Sequence, residues 1–145
     1  MTPQDALRLL TATTTRWVGD PESDVVWAGE HDGLWGIRMA QRVRDFTTVW
    51  FDVGERTVGF ETYLLPDPPH GHEAVYRMSL RRNWSSWPVA IAMDRSSDLY
   101  VKGRIPLSVL DEEAIDGAVG AVYELVELTF RTLVDVGFRK PVRER

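Results

Sequence analysis

The chain has 145 residues, 43% of them hydrophobic, with six tryptophans and no cysteine. This composition fits one folded domain with a real core, and it excludes disulfides, thiolate nucleophiles and cysteine-based metal sites. The net charge is −5, and residues 1–138 alone carry 13 basic against 21 acidic groups, a poor electrostatic match for nucleic acid.

Residues 1–4 are not basic, and no apolar stretch of signal-peptide or membrane-span length follows, so the expected compartment is the cytoplasm, with no membrane partner. Thr2-Pro3-Gln4-Asp5 reads as a helix start, with a Thr cap, Pro in the first turn and an acid at the third position. Leu7, Leu10, Thr14 and Trp17 then share a face, and Gly19-Asp20-Pro21 ends the helix. Its run of β-branched threonines weakens it in isolation, so it must pack against something. Residues 20–33 are polar and turn-rich around an apolar island at Val25-Val26-Trp27, with a turn at His31-Asp32-Gly33.

Three strands follow, at residues 34–40, 46–53 and 57–65. Val49, Phe51 and Val53 alternate with Thr48 and Trp50; Val58, Phe60 and Leu64 alternate with Glu61 and Tyr63. Short connections predict an antiparallel meander. Pro66-Asp67-Pro68-Pro69 is a stiff linker. Residues 70–83 read as a second helix, with Tyr76, Leu80 and Trp84 in one row and Asn83 as a left-handed stop.

Two more strands come next. The first sets Trp87, Val89, Ile91 and Met93 on one face. The second sets Leu99, Val101 and Ile105 against Tyr100, Lys102 and Arg104. Arg95-Ser96-Ser97 turns between them, and Pro106 ends the ladder because it has no N–H. A long helix closes the domain, capped by Ser108 or Asp111. Its polar positions, Asp116, Gly120, Glu124, Glu127, Arg131 and Asp135, trace one narrow stripe. The apolar remainder exceeds what one sheet contact covers, so the helix is either wrapped by other elements or sits at a subunit interface through Val122 and Val126. Gly137 is a candidate left-handed stop. Residues 139–145 form a basic tail outside the domain at 1–138.

The string closest to catalytic chemistry is His70-Gly71-His72-Glu73. Two histidines at i, i+2 do not share a helix face, and the spacing is not that of the HExxH zinc pattern. Asp94-Arg95-Ser96-Ser97-Asp98 resembles the start of a calcium loop but lacks its Gly and its Glu. There is no phosphate-binding Gly-rich loop and no nucleophile elbow. No cofactor is expected. The outward strand positions form a different kind of set. In the right register, Trp50, Tyr63, Tyr100, Lys102 and Arg104 share one side of the sheet, a surface suited to a peptide or a subunit. In the alternative, those aromatics pack beneath the first helix.

The segments Ser79-Leu80-Arg81-Arg82-Asn83, Val89-Ala90-Ile91-Ala92-Met93-Asp94, Asp98-Leu99-Tyr100 and Gly103-Arg104-Ile105-Pro106-Leu107, with Thr132-Leu133 before Gly137-Phe138, resemble the YbjN family of bacteria, especially its actinobacterial members. The resemblance spans residues 34–138, and residues 1–33 depart from it. It implies a type III secretion chaperone-like fold, commonly dimeric, in proteins described as sensory transduction regulators, and it brings no active site. Asn83, Gly103 and Pro106 would be structural positions.

The expected architecture is therefore α+β, an antiparallel five-stranded sheet flanked by helices in the order α-β-β-β-α-β-β-α. The expected function is a non-enzymatic, homodimeric module that binds a protein or peptide client. The alternative is a metal- or small-molecule-binding enzyme or sensor built on His70, His72 and Glu73.

Overall fold

The computed structural model describes residues 1–139, so most of the expected basic tail lies outside it. The elements are α1 (Pro3–Val18), β1 (Val25–His31), β2 (Leu34–Ala40), β3 (Phe46–Val53), β4 (Thr57–Leu65), α2 (His72–Trp84), β5 (Ala90–Met93), β6 (Leu99–Pro106), a short 3-10 turn at Leu107–Val109, and α3 (Glu112–Phe138). The strands form one antiparallel sheet in the order β1-β2-β3-β4-β6-β5.

The sheet has six strands, not five. The apolar island at Val25 opens a strand that pairs with β2 through a two-residue turn. Asp32 and Gly33 supply the positive φ values, 50° and 78°, that a tight hairpin of this hand requires. A bulge between Val25 and Trp27 shifts the alternation by one residue, which hides the period-2 signal in the sequence.

All three helices pack on one face of the sheet. The inward strand positions Ile37, Met39, Val49, Phe51, Val58, Phe60, Val101 and Ile105 are buried there. The α1 helix begins with a capping box between Thr2 and Asp5 and buries Ala6, Leu10, Thr13 and Thr14, while Leu7 stays largely exposed. The Trp35 indole donates to the Thr14 hydroxyl at 2.8 Å, and Arg16 reaches Glu112 at the start of α3.

The Asp111 side chain caps α3 by accepting from the Ala114 N–H at 2.7 Å. Ile115, Ala118, Val122, Leu125, Val126 and Leu133 then pack inward. Val122 and Val126 are both 0% exposed in a single protomer. They belong to its own core and offer nothing to a partner, which corrects the expected interface. Most of the apolar surplus of α3 is taken up by the sheet beneath it and by α1 and α2 on its flanks, with Leu128 left exposed. Gly137 is not a stop either. It lies within the helix, and glycine is needed there for close packing, since a Cβ would meet Pro68 at 2.7 Å and Val75 at 3.3 Å.

Three further expectations need correction. The α2 helix starts at His72, after a left-handed Gly71, and turns Val75 and Ser79 inward. Of the row Tyr76, Leu80, Trp84, only Tyr76 rests partly buried against the core, while Leu80 and Trp84 point away from it. Asn83 does not terminate α2. Its side-chain amide accepts from the Ile91 N–H at 2.8 Å and donates to the Ile91 carbonyl at 3.0 Å, tying α2 to β5 as a strand would. Finally, β5 begins only at Ala90, so Trp87 lies outside it and is 90% exposed. Gly103 does relieve crowding, because a Cβ there would meet the Phe60 ring and the Pro88 carbonyl at 2.8 Å each.

One polar seam ties the β2–β3 loop to α3. Glu127 accepts from the Gln41 amide and from the Arg42 N–H, both at 2.9 Å. Burial pushes this carboxyl up, but the hydrogen bonds from Gln41 and from the Arg42 and Val43 backbone outweigh it and hold the group below its ordinary value. A depressed folded pKa contributes stability that is fully present above the unfolded glutamate value of about 4.3 and is lost as pH falls through the folded one. Glu127→Gln is thus expected to lower the melting temperature at pH 7, with the gap to wild type closing below about pH 4 in a thermal-melt series.

Candidate functional site: the open face of the sheet

Strand alternation divides each strand between a helix-covered face and an uncovered one. The register aligns Gly29, Gly36, Trp50, Glu61, Lys102 and Ala90 as one row across all six strands. A second row contains Tyr63, Tyr100 and Ala92, and a third contains Asp52, Gly59 and Arg104. All five expected positions, Trp50, Tyr63, Tyr100, Lys102 and Arg104, therefore share the open face. The aromatics do not pack under α1.

Two side chains that sequence reasoning missed, Trp27 and Arg38, complete the surface. The Trp27 and Trp50 rings meet edge-on at 6.3 Å, and the Arg38 guanidinium lies 5.8 Å above Trp27. Two glycines make room for these indoles. A Cβ on Gly36 would sit 2.5 Å from the Trp50 ring, and one on Gly29 would sit 2.7 Å from Trp27. The available signal was the pairing of outward glycines with outward tryptophans, and the β1 bulge obscured it. At the other end, Tyr63 and Tyr100 meet edge-on at 5.4 Å. Burial, with the nearby Asp98 and Asp94 charges for Tyr63 and Asp94 foremost for Tyr100, raises both phenol pKa values, so both remain donors.

Between these aromatic ends the surface is dimpled. One dimple of about 180 Å³ opens over Gly59, walled by Trp50, Asp52, Lys102 and Arg104. A second of about 270 Å³ opens over Ala92, beside Tyr100 and Asp94. The Glu61–Lys102 pair, 3.6 Å apart, lines both. Gly59 differs from the other strand glycines, because the nearest atom to an added Cβ is the Asp52 carbonyl at 3.9 Å. Neither packing nor a positive φ demands glycine there. Aromatic faces, fixed charges and shallow holes are means of non-covalent recognition.

The His70–Glu73 string is not brought together as a ligand set. The His72 ring contacts the Pro68 carbonyl and stacks on Tyr76, with Asp67 at 3.5 Å, while Glu73 pairs with Arg77. Among the described residues, no group of three or more His, Asp or Glu side chains is placed to hold a metal ion. Among the same residues, no helix is long and apolar enough to cross a membrane.

The profile of the YbjN family, described as "Putative bacterial sensory transduction regulator", matches residues 16–134. The chain belongs to the YbjN family. The match begins within α1 and so includes β1, further toward the N-terminus than the sequence resemblance reached. An uncharacterized protein of Mycobacterium leprae is 36% identical to this YbjN chain over 120 residues, covering 81% of this chain and 65% of that protein. An uncharacterized protein of Mycobacterium tuberculosis is 36% identical over 91 residues, covering 63% and 50%. The chain thus spans between half and two thirds of the length of these curated relatives.

Among solved structures, the YbjN fold is similar to a chain of the ExsC–ExsE complex (TM-score 0.61, 16% identity, 92% of this chain and 96% of that one). It is also similar to a chain of the heterodimeric ExoU–SpcU complex from the type III secretion system of Pseudomonas aeruginosa (0.58, 18%, 85% and 95%). A third likeness is to a chain of the HopA1–SchA chaperone–effector complex (0.58, 13%, 87% and 92%). At these identities the likeness establishes the α+β fold, an antiparallel sheet with helices on one face in this chain.

Proposed function

We propose that this YbjN protein is a non-enzymatic protein-binding module, a chaperone-like adaptor or sensory transduction regulator, that holds a segment of another protein on the open face of its sheet. The observation that carries this reading is the uncovered face itself. A six-stranded sheet leaves Trp50, Tyr63, Tyr100, Lys102 and Arg104 facing outward, with two dimples between them. Aromatic and arginine side chains on a rigid scaffold are the residues that dominate protein interfaces. The similarity to chains from chaperone–effector and other heterodimeric complexes supports the same reading.

Gly59 gives a clean test. Threonine there fills the first dimple without touching the core, and it suits a strand better than glycine by roughly 0.5–1 kcal/mol. Gly59→Thr is expected to melt at the same or a higher temperature than wild type. Immobilised on a resin, it should retain about tenfold less of any protein that wild type captures from its host lysate, and Arg104→Glu should do the same. Equal retention by wild type and both variants would remove the open face from the binding event.

A further inference from the structure

The solvent side of α2 carries two columns of side chains. Leu80 is 70% exposed and Trp84, one turn later, is 94% exposed, so the two form an apolar column. Trp87, just past the helix end, is 90% exposed. Arg77 and Arg81 form the second column, again four residues apart. Arg77 is tied to Glu73 at 2.9 Å, while Arg81 and Arg82 enter none of the ion pairs found among the described residues. Residues 72–87 thus carry three arginines against one glutamate, in a chain whose net charge is −5. Beside this face a cavity of about 370 Å³ opens between α2 and α3. Its rim holds the exposed Arg81, Arg82 and Ser85, and its bottom is made by the buried Ile91 and Leu133.

We infer that this end of the molecule docks on an anionic lipid surface, with Leu80, Trp84 and Trp87 seated in the headgroup layer and Arg81 and Arg82 on the lipid phosphates. Three observations select a bilayer as the occupant. The first is residue type. Indoles settle where an apolar medium meets water, because the ring is apolar while its N–H still needs a polar partner. The second is charge. The arginine-rich end is attracted to an anionic leaflet and the acidic remainder of the chain is repelled, so the field turns this face toward the lipid. The third is shape. Indoles at least nine-tenths exposed stand clear of their own chain, and protruding knobs can enter a fluid layer that needs no matching pocket. The cavity suits the same occupant, with arginines at the rim for a phosphate and apolar side chains below. Glu124 lines the adjoining hollow with Arg82 and Trp87 and sets the acidic limit of the patch. This is contact with a surface and needs no spanning segment. It stands apart from the open-face reading, because the two surfaces share none of the residues that carry either.

The test is flotation of the full chain with vesicles of phosphatidylcholine, alone or with about 30% phosphatidylglycerol, in low salt and in about 0.5 M salt. Wild type is expected to float with the anionic vesicles in low salt and to bind the neutral ones about tenfold more weakly. High salt should release most of it. Trp84→Ser with Trp87→Ser, and separately Arg81→Glu with Arg82→Glu, are each expected to weaken binding about tenfold. Both pairs should keep the wild-type circular dichroism spectrum, since all four side chains are exposed. A brominated lipid should quench wild-type tryptophan emission far more than that of the double tryptophan variant. A wild type that does not float with anionic vesicles overturns the inference. Flotation that either pair of substitutions leaves unaltered does so as well. Capture of a protein through Trp84 and Trp87 without vesicle binding also overturns it and assigns the patch to a protein partner. Gly59→Thr should float as wild type does, so client retention and flotation report on separate surfaces.

Discussion

Val122→Asp and Val126→Asp are each expected to leave the chain unfolded rather than to release folded monomers. Both valines are 0% exposed, on the inward face of α3 between the sheet and the two other helices. A lone carboxylate there loses its water and finds no cation. The effective cost is several kcal/mol, and the lost apolar burial adds roughly 1.5–3 kcal/mol. A domain of this size has only about 5–15 kcal/mol of stability to lose. Arg131→Asp, on the exposed stripe of the same helix, should change stability by about 0.5 kcal/mol or less. Urea melts followed by circular dichroism separate these outcomes. A folded Val126→Asp protein of unchanged stability would mean that α3 is not packed as described.

The second large effect is expected at Gly36. Its Cβ position lies 2.5 Å from the Trp50 ring and 3.0 Å from Trp27, so any side chain there displaces the Trp50 ring and presses on Trp27. The backbone itself accepts valine, a favoured strand residue. Gly36→Val is therefore expected to fold with the same far-ultraviolet spectrum. Its tryptophan emission should move to longer wavelength as the rings enter water, and client retention should fall at least about tenfold. Unchanged emission together with unchanged retention would show that the indole platform contributes neither packing nor binding.

Much of this was legible in the sequence. The period-2 alternation placed Trp50, Tyr63, Tyr100, Lys102 and Arg104 on one face, and the structure keeps them together there. The Asp111 cap and the polar stripe of α3 were equally plain. What the sequence obscured has physical causes. The bulge at Val25–Trp27 breaks alternation at the place where the sixth strand begins, so Trp27 and its supporting glycines went unseen. The apolar surplus of α3 has two possible owners, a partner or the protomer's own flanking helices, and composition cannot choose between them. The row of Tyr76, Leu80 and Trp84 has core spacing. Yet α2 lies at the sheet edge, with Val75 and Ser79 buried and Tyr76 and Met78 only partly covered, so the tryptophan is left outside. Asn83 looked like a helix stop because its amide suits left-handed turns, but the same amide makes both hydrogen bonds to Ile91.

The central claim is that the open face holds a partner segment, and site-specific photo-cross-linking tests it most directly. A benzophenone side chain in place of Tyr63, which is 42% exposed beside the second dimple, is compared with the same group in place of exposed Glu113 on α3. Irradiation in the host cell is expected to join a second polypeptide to the Tyr63 probe and not to the Glu113 probe, with the adduct reduced when Arg104→Glu is added. Adducts from the Glu113 probe alone, or a Tyr63 adduct indifferent to Arg104, would contradict it.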